Sequence, residues 1–206
     1  MGVNMLNILL MDSNFYQVSG LSFLILKQLK DEGLNEACFL LPSLESNRDI
    51  ANIIFRDDMV TINVFDKKYI PRKNGTEQKD VDKITIHVPF WAKSQTLNDI
   101  SRKISKILMI ARADYNMIIN KEESYWNFGL KKYAQLSDTE NDVMILIGRG
   151  YNSTEISVIL NRSKKTIGTH YRNASRKMGV ANQAEFYRYA SFIAKCQCDE
   201  RNTFCL

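Results

Sequence analysis

Six lysines and arginines, one histidine and no acid fall between Arg162 and Lys177. Read at helical spacing, Lys165, Thr169, Arg172 and Arg176 recur at i, i+4, i+7 and i+11 and share one stripe. Ile167, Tyr171, Ala174 and Met178 recur at the same interval on the other side. Such a helix packs by one face and offers only positive charge and hydrogen-bond donors on the other. A solvated surface helix normally mixes in glutamate for pairing at i,i+4, so the acid-free face points to a polyanion. His170 lies within the stretch, but no carboxylate or nucleophile is spaced to join it, and no catalytic residue is assigned. Cys196, Cys198 and Cys205 could form a metal clip, but no fourth ligand is nearby. They read instead as part of a frayed tail over 196–206. No metal and no cofactor is expected.

The elements that must position the basic stripe are legible around it. Ser137 and Glu140 form a capping box, and Val143, Met144, Leu146 and Ile147 make the buried stripe of the helix that follows. Gly148-Arg149-Gly150 ends it. Asn152 with Glu155 opens a second helix with Ile156, Ile159 and Leu160 inward. Asn161-Arg162-Ser163 is a short turn, Ser163 caps the basic helix, and Gly179 stops it. Asn182 and Glu185 open a fourth helix carrying Phe186, Tyr189, Ala190 and Ile193. Helix, short turn, basic helix is a helix-turn-helix spanning 153–172, in which the second helix enters the major groove of duplex DNA.

Charge is distributed unevenly. Residues 1–130 hold 16 Lys/Arg against 16 Asp/Glu, whereas 131–195 hold 11 against 5, an excess of six. A neutral domain joined to a nucleic-acid-binding one is the organisation this implies. Four cysteines, three of them in the last eleven residues, make no disulfide framework and fit a reduced cytoplasmic setting. No apolar run approaches the ~18 residues of a membrane span, and the N-terminus lacks the pattern of a signal peptide.

Upstream, 5–11, 37–41, 59–65 and 84–88 are short apolar runs that read as strands. Residues 18–29 and 97–116 repeat at helical spacing, and Ser46–Phe55 reads as a short helix with Ile50, Ile53 and Ile54 inward. Residues 66–82 read as a loop or hairpin. The alternation predicts a doubly wound α/β domain over 1–118, a linker at 119–132, an all-α domain at 133–195 and a tail at 196–206.

The run Leu136-Ser-Asp-Thr-Glu140, with Val143-Met144, Gly150, Glu155-Ile156, Leu160, Ser163, Thr166-Ile167, His170, Asn173 and Lys177-Met178-Gly179-Val180, resembles the LuxR/FixJ/NarL-type helix-turn-helix domain of bacterial regulators. That resemblance covers 136–193 without a gap and implies a tetrahelical unit that binds double-stranded DNA. Thr169 and Arg172 match family positions that face bases. Lys165, Thr166, Asn173 and Arg176 match or adjoin positions that reach phosphate, and Lys164 and His170 complete the DNA-binding set. Thr139 stands where the family often has arginine, which would weaken an internal salt bridge; Gly168 stands where lysine frequently reaches the groove. The family's last helix commonly makes the dimer contact, here Phe186, Tyr189 and Ile193.

Residues 5–115 resemble a truncated response-regulator receiver in outline. The resemblance implies a phospho-accepting position at the third strand's end, which falls on Asn63 or on Asp66, with Asp12 as the single metal carboxylate; Lys93 stands where receivers keep a lysine. Together these imply a sequence-specific, phosphorylation-independent transcription regulator that is not an enzyme and works as a homodimer or heterodimer. Alternatives are a phosphorylatable regulator, a small-molecule sensor, or a heterodimer partner that binds little DNA by itself.

Overall fold

A computed structural model describes residues 5–12, 14–33, 37–66, 83–90, 95–196 and 202–206. The loop at 67–82, Lys93 and Cys198 therefore lie outside the described residues. Strand β1 (Leu6–Leu10) runs parallel to β2 (Ala37–Leu40) on one side and to β3 (Ile53–Arg56) on the other. Two residues, Asp57 and Asp58, then turn the chain into β4 (Met59–Phe65), antiparallel to β3, and β5 (Lys83–Pro89) continues antiparallel. The sheet order is β2-β1-β3-β4-β5. The α/β architecture is as expected, but only β2-β1-β3 is parallel.

The expected helix over Ser46–Phe55 is corrected. Helix α2 spans only Asn47–Ile50, and Ile53–Arg56 is strand. Ile53 and Phe55 are buried while Ile54 between them is partly covered, the period of two that pairing with β1 imposes. Asn52 seeds that pairing: its amide donates to the Asn7 carbonyl and its side chain accepts the Asn7 amide.

This shift relocates the acids. β3, not β4, is the third strand, and its end carries Asp57 and Asp58. Asp12 follows the end of β1, which is parallel to β3, so these three line one cleft with Asn14 and Gln17. Asp66 follows β4, which runs the other way, and lies at the opposite end of the sheet from Asp12. A seven-residue strand spans roughly 20 Å. Asn63 is a structural amide, buried, donating to the Ala51 carbonyl and accepting from Thr85.

Helices α1 (Phe15–Asp31) and α3 (Leu97–Ala111) pack on each other, joined at their ends by Arg112 and Glu32 at 2.5 Å. The linker is structured. Short helices α4 (Tyr115–Ile119) and α5 (Lys121–Asn127) bury Ile118, Ser124 and Phe128, and Lys106 holds the Phe128 carbonyl. A 3₁₀ turn at Lys132–Ala134 leads into four helices: α6 (Asp138–Gly148), α7 (Ser153–Ile159), α8 (Lys164–Met178) and α9 (Gln183–Lys195). The two units touch along a seam. Arg188 of α9 meets Asp58 at 2.6 Å, the rings of Phe192 and His87 meet edge to face, and Met59 joins the helical core.

Candidate nucleic-acid interface

Helix α8 begins and ends for local reasons. The Ser163 hydroxyl accepts the Thr166 amide at 3.1 Å, satisfying one of the open donors of the first turn. Gly179 closes the helix at φ +68°, a left-handed conformation that a side chain resists. Arg176 and Lys177 occupy the last turn, where positive charge complements the helix dipole. Ile167, Ala174 and Met178 are buried, and Tyr171 packs edge to face on Phe186 with centroids 4.7 Å apart. Helices α6 and α7 both pack on α8, so the apolar stripe is consumed and the other stripe faces outward.

On that outward face Lys164, Lys165, Thr169, Arg172 and Arg176 are all exposed. Thr166, His170 and Asn173 are half-buried along its borders. Short bonds within the helix order the donors. Thr169 donates to the Lys165 carbonyl at 3.0 Å, Arg172 to the Thr169 hydroxyl at 3.2 Å and Arg176 to the Asn173 side-chain Oδ1 at 3.3 Å. Gly168 opens the middle of the face. A Cβ built there would meet nothing within 4 Å except the Arg172 guanidinium, at 3.8 Å, so Arg172 lies back over the space that a side chain would take. The face can bind phosphate through Lys164, Lys165 and Arg176 and present a planar guanidinium to a base edge through Arg172.

Lys177, in the same basic run, has a different task. Its ammonium sits 2.7 Å from the buried Glu140 carboxylate and donates to the Gln135 carbonyl at 2.8 Å. Burial opposes the charge on Glu140, but Lys177 and the Ser137 amide outweigh it and hold the carboxyl below its usual value. This pair ties the last turn of α8 to the first turn of α6. The salt bridge between the start of α6 and the end of α8 is carried by Glu140 and Lys177. Glu155 and Glu185 serve helix starts, accepting from the Asn152 amide and the Ala181 amide.

The dimer contact assigned to Phe186, Tyr189 and Ile193 is corrected. All three are fully buried inside this chain. Phe186 packs on α8, Ile193 belongs to the helical core, and the Tyr189 hydroxyl donates to Thr203 at 3.2 Å. Helical periodicity shows that a stripe is apolar, not what covers it. The frayed-tail reading is also corrected over the last residues: Thr203, Phe204 and Cys205 are buried, and burial pushes the Cys205 thiol up to about 12. The sequence reading missed Arg188 and Asp58, whose partnership spans 130 positions. Only charge type marked them beforehand. Among the described residues no group of three histidines, cysteines or acids is gathered closely enough to hold a metal, and no helix is long and apolar enough to cross a membrane.

Residues 134–190 match the family described as bacterial regulatory proteins, luxR family. The transcriptional regulatory protein RcsB of Escherichia coli K12 is 36% identical over 66 residues, which is 32% of this chain and 31% of that protein. The transcriptional activator protein BglJ of the same organism is 36% identical over 58 residues, 28% of this chain and 26% of that protein. This chain thus spans about a third or less of the length of these curated relatives. A solved structure described as the two-component response regulator RcsB–DNA complex aligns with 91% of this chain and 98% of that one, at 18% identity and a TM-score of 0.30. That superposition is loose, and the sequence matches cover the helix-turn-helix unit alone.

Proposed function

We propose that this chain, whose C-terminal unit is a LuxR-type helix-turn-helix domain, is a cytoplasmic, sequence-specific DNA-binding transcription regulator, acting as a homodimer or beside a second regulator. The observation that carries the reading is the outward face of α8, five exposed donors from Lys164 to Arg176 with no acid among them. Duplex DNA is the polyanion whose major groove admits one helix carrying donors in this order. Binding should weaken steeply with salt; if four to six basic groups of each pair of subunits meet phosphate, log K against log salt falls with a slope of roughly −4 to −5. Arg172→Ala costs about 1–3 kcal/mol at the preferred site and relaxes base preference at one position. Lys165→Ala weakens all sequences about equally. Titrations of the three proteins against preferred and scrambled duplexes measure this. A flat salt response, or indistinguishable losses for the two variants, rejects it.

Control without phosphate is supported by the state of the candidate acids. Asp58 is held by Arg188 of the DNA-binding unit, Asp57 sits in a left-handed turn at φ 51°, and Asp66 faces away from Asp12. A second reading has one observation in its favour, the shared cleft of Asp12, Asp57 and Asp58, of roughly 590 Å³. There an acyl phosphate on Asp57 would compete with Asp58 for Arg188, and one on Asp58 would itself face Arg188. Incubation with beryllofluoride and Mg²⁺ is expected to leave mass and DNA affinity unchanged. An adduct lost in Asp57→Asn or Asp58→Asn that tightens DNA binding would establish the second reading.

A further inference from the structure

The segment 202–206 belongs to neither unit alone. Its backbone runs beside the outer edge of β5, one of the two edge strands of the sheet. The His87 amide donates to the Asn202 carbonyl at 2.8 Å, and the Phe204 amide donates to the His87 carbonyl at 2.9 Å. An unpaired edge offers a row of free donors and acceptors, and this segment takes one residue's worth of them. In extended backbone successive side chains point to opposite sides, and here the two sides belong to different cores. Phe204 enters the N-terminal core against Tyr125, with centroids 5.1 Å apart. Cys205 enters the helical core.

The helical unit grips the segment at two further points. Gln135, buried at the entrance to α6, pairs its side-chain amide with both backbone groups of Cys205: Oε1 accepts the amide at 2.8 Å and Nε2 donates to the carbonyl at 2.9 Å. That amide completes the pairing a neighbouring strand would otherwise make. The Gln135 carbonyl in turn accepts from Lys177 at the end of α8. Tyr189 of α9 donates to the Thr203 hydroxyl. A continuous chain of hydrogen bonds therefore runs from β5 through 202–206 and Gln135 to the recognition helix. The direct contacts at the seam are the Arg188–Asp58 pair, exposed on its arginine side and of a kind that contributes little, the Phe192–His87 ring contact and Met59.

We propose that residues 202–206 form a strap that holds the helix-turn-helix unit on the N-terminal sheet, and that its release sets that unit free to move and exposes the Arg188–Tyr189–Phe192 face of α9. The strap stands on geometry alone; its consequence for DNA rests on the function proposed above. The test is amide hydrogen exchange on the full chain, on Gln135→Ala, and on a chain ending at residue 201. Removal of the strap is expected to speed exchange at His87 and at 188–193 at least tenfold while Ile145 and Ala174 keep their protection. Gln135→Ala deletes only two hydrogen bonds, and is expected to speed exchange at Cys205 and His87 severalfold. Unchanged protection of His87 and 188–193 in the shortened chain, or equal loss of protection through Ile145 and Ala174, overturns the strap as a local device. In a parallel duplex titration the shortened chain is expected to bind at least threefold more tightly. Absence of DNA binding in every chain, with exchange faster at the seam, leaves the strap standing and removes the DNA reading.

Discussion

Gly148→Ala is expected to destabilise the helix-turn-helix unit by about 3 kcal/mol or more. Gly148 closes α6 where that helix crosses α9, and a Cβ built there overlaps the carbonyl group of Ala190 and lies 3.0 Å from the Ala194 Cβ. The obstacle is backbone inside a helix, which cannot swing aside as a side-chain end would. α6 and α9 share Met144, Ile147, Phe186, Tyr189, Ala190 and Ile193 in one core, so separating them opens much of it. Overpacking commonly costs 1–3 kcal/mol, and a backbone clash belongs at or above the top of that range, about 3 kcal/mol or more. Urea unfolding followed by circular dichroism measures it. Gly168→Ala is the contrast, because its site is open and alanine is the better helix former by about 1 kcal/mol. The same chemical change therefore stabilises at 168 and destabilises at 148. Equal stabilities for wild type and Gly148→Ala would contradict the α6–α9 packing.

Acidification costs about 3 kcal/mol of stability through His87 alone. Burial lowers its pKa from 6.5 to about 4. Nδ1 lies 3.3 Å from the Thr61 hydroxyl, and Nε2 is buried with no hydrogen-bond partner among the described residues. Charging the ring would bury a cation with an unmatched donor beside Phe192 and the bridge to Thr203. The folded pKa lies below the unfolded one, so the unfolded chain takes up the proton first. Stability from the neutral ring is complete above pH 6.5, falls as the pH drops from 6.5 towards 4, and is flat below that. At 1.36 kcal/mol per unit, the difference between 6.5 and about 4 corresponds to about 3 kcal/mol. Urea unfolding of wild type and His87→Gln from pH 8 to pH 4 isolates the contribution, since every other titration is shared. Parallel curves for the two proteins across that window would refute it.

Both effects arise from packing between elements far apart in the chain, and they mark where reading from sequence stops. The helix-turn-helix was legible because its signals are local. Ser137 with Glu140, Asn152 with Glu155, and Ser163 with Thr166 each act within three residues, and a stripe repeats within eleven. The donors on α8 were legible for the same reason: their exposure follows from where Ile167, Ala174 and Met178 must go. The N-terminal unit was legible as α/β from its apolar runs, but strand direction was not. Asp57 and Asp58 form a two-residue hairpin turn, and one left-handed aspartate there reverses β4. Ile50, Ile53 and Ile54 fit a helical period as well as an apolar strand, and pairing with β1 decided between them.

The chain order by itself determined that a basic, acid-free helix would present Lys165, Thr169, Arg172 and Arg176 together, because a helix fixes the spacing of its own side chains. Tertiary structure alone decided which partners the other faces take. Phe186, Tyr189 and Ile193 are apolar whether a second chain or their own chain covers them, and the fold spends them internally. Residues 202–206 have no pattern that foretells burial. They are ordered by the β5 edge, Gln135 and Tyr189, which come from three distant parts of the sequence. Hydrogen bonds and cores of that kind exist only after the chain has closed on itself.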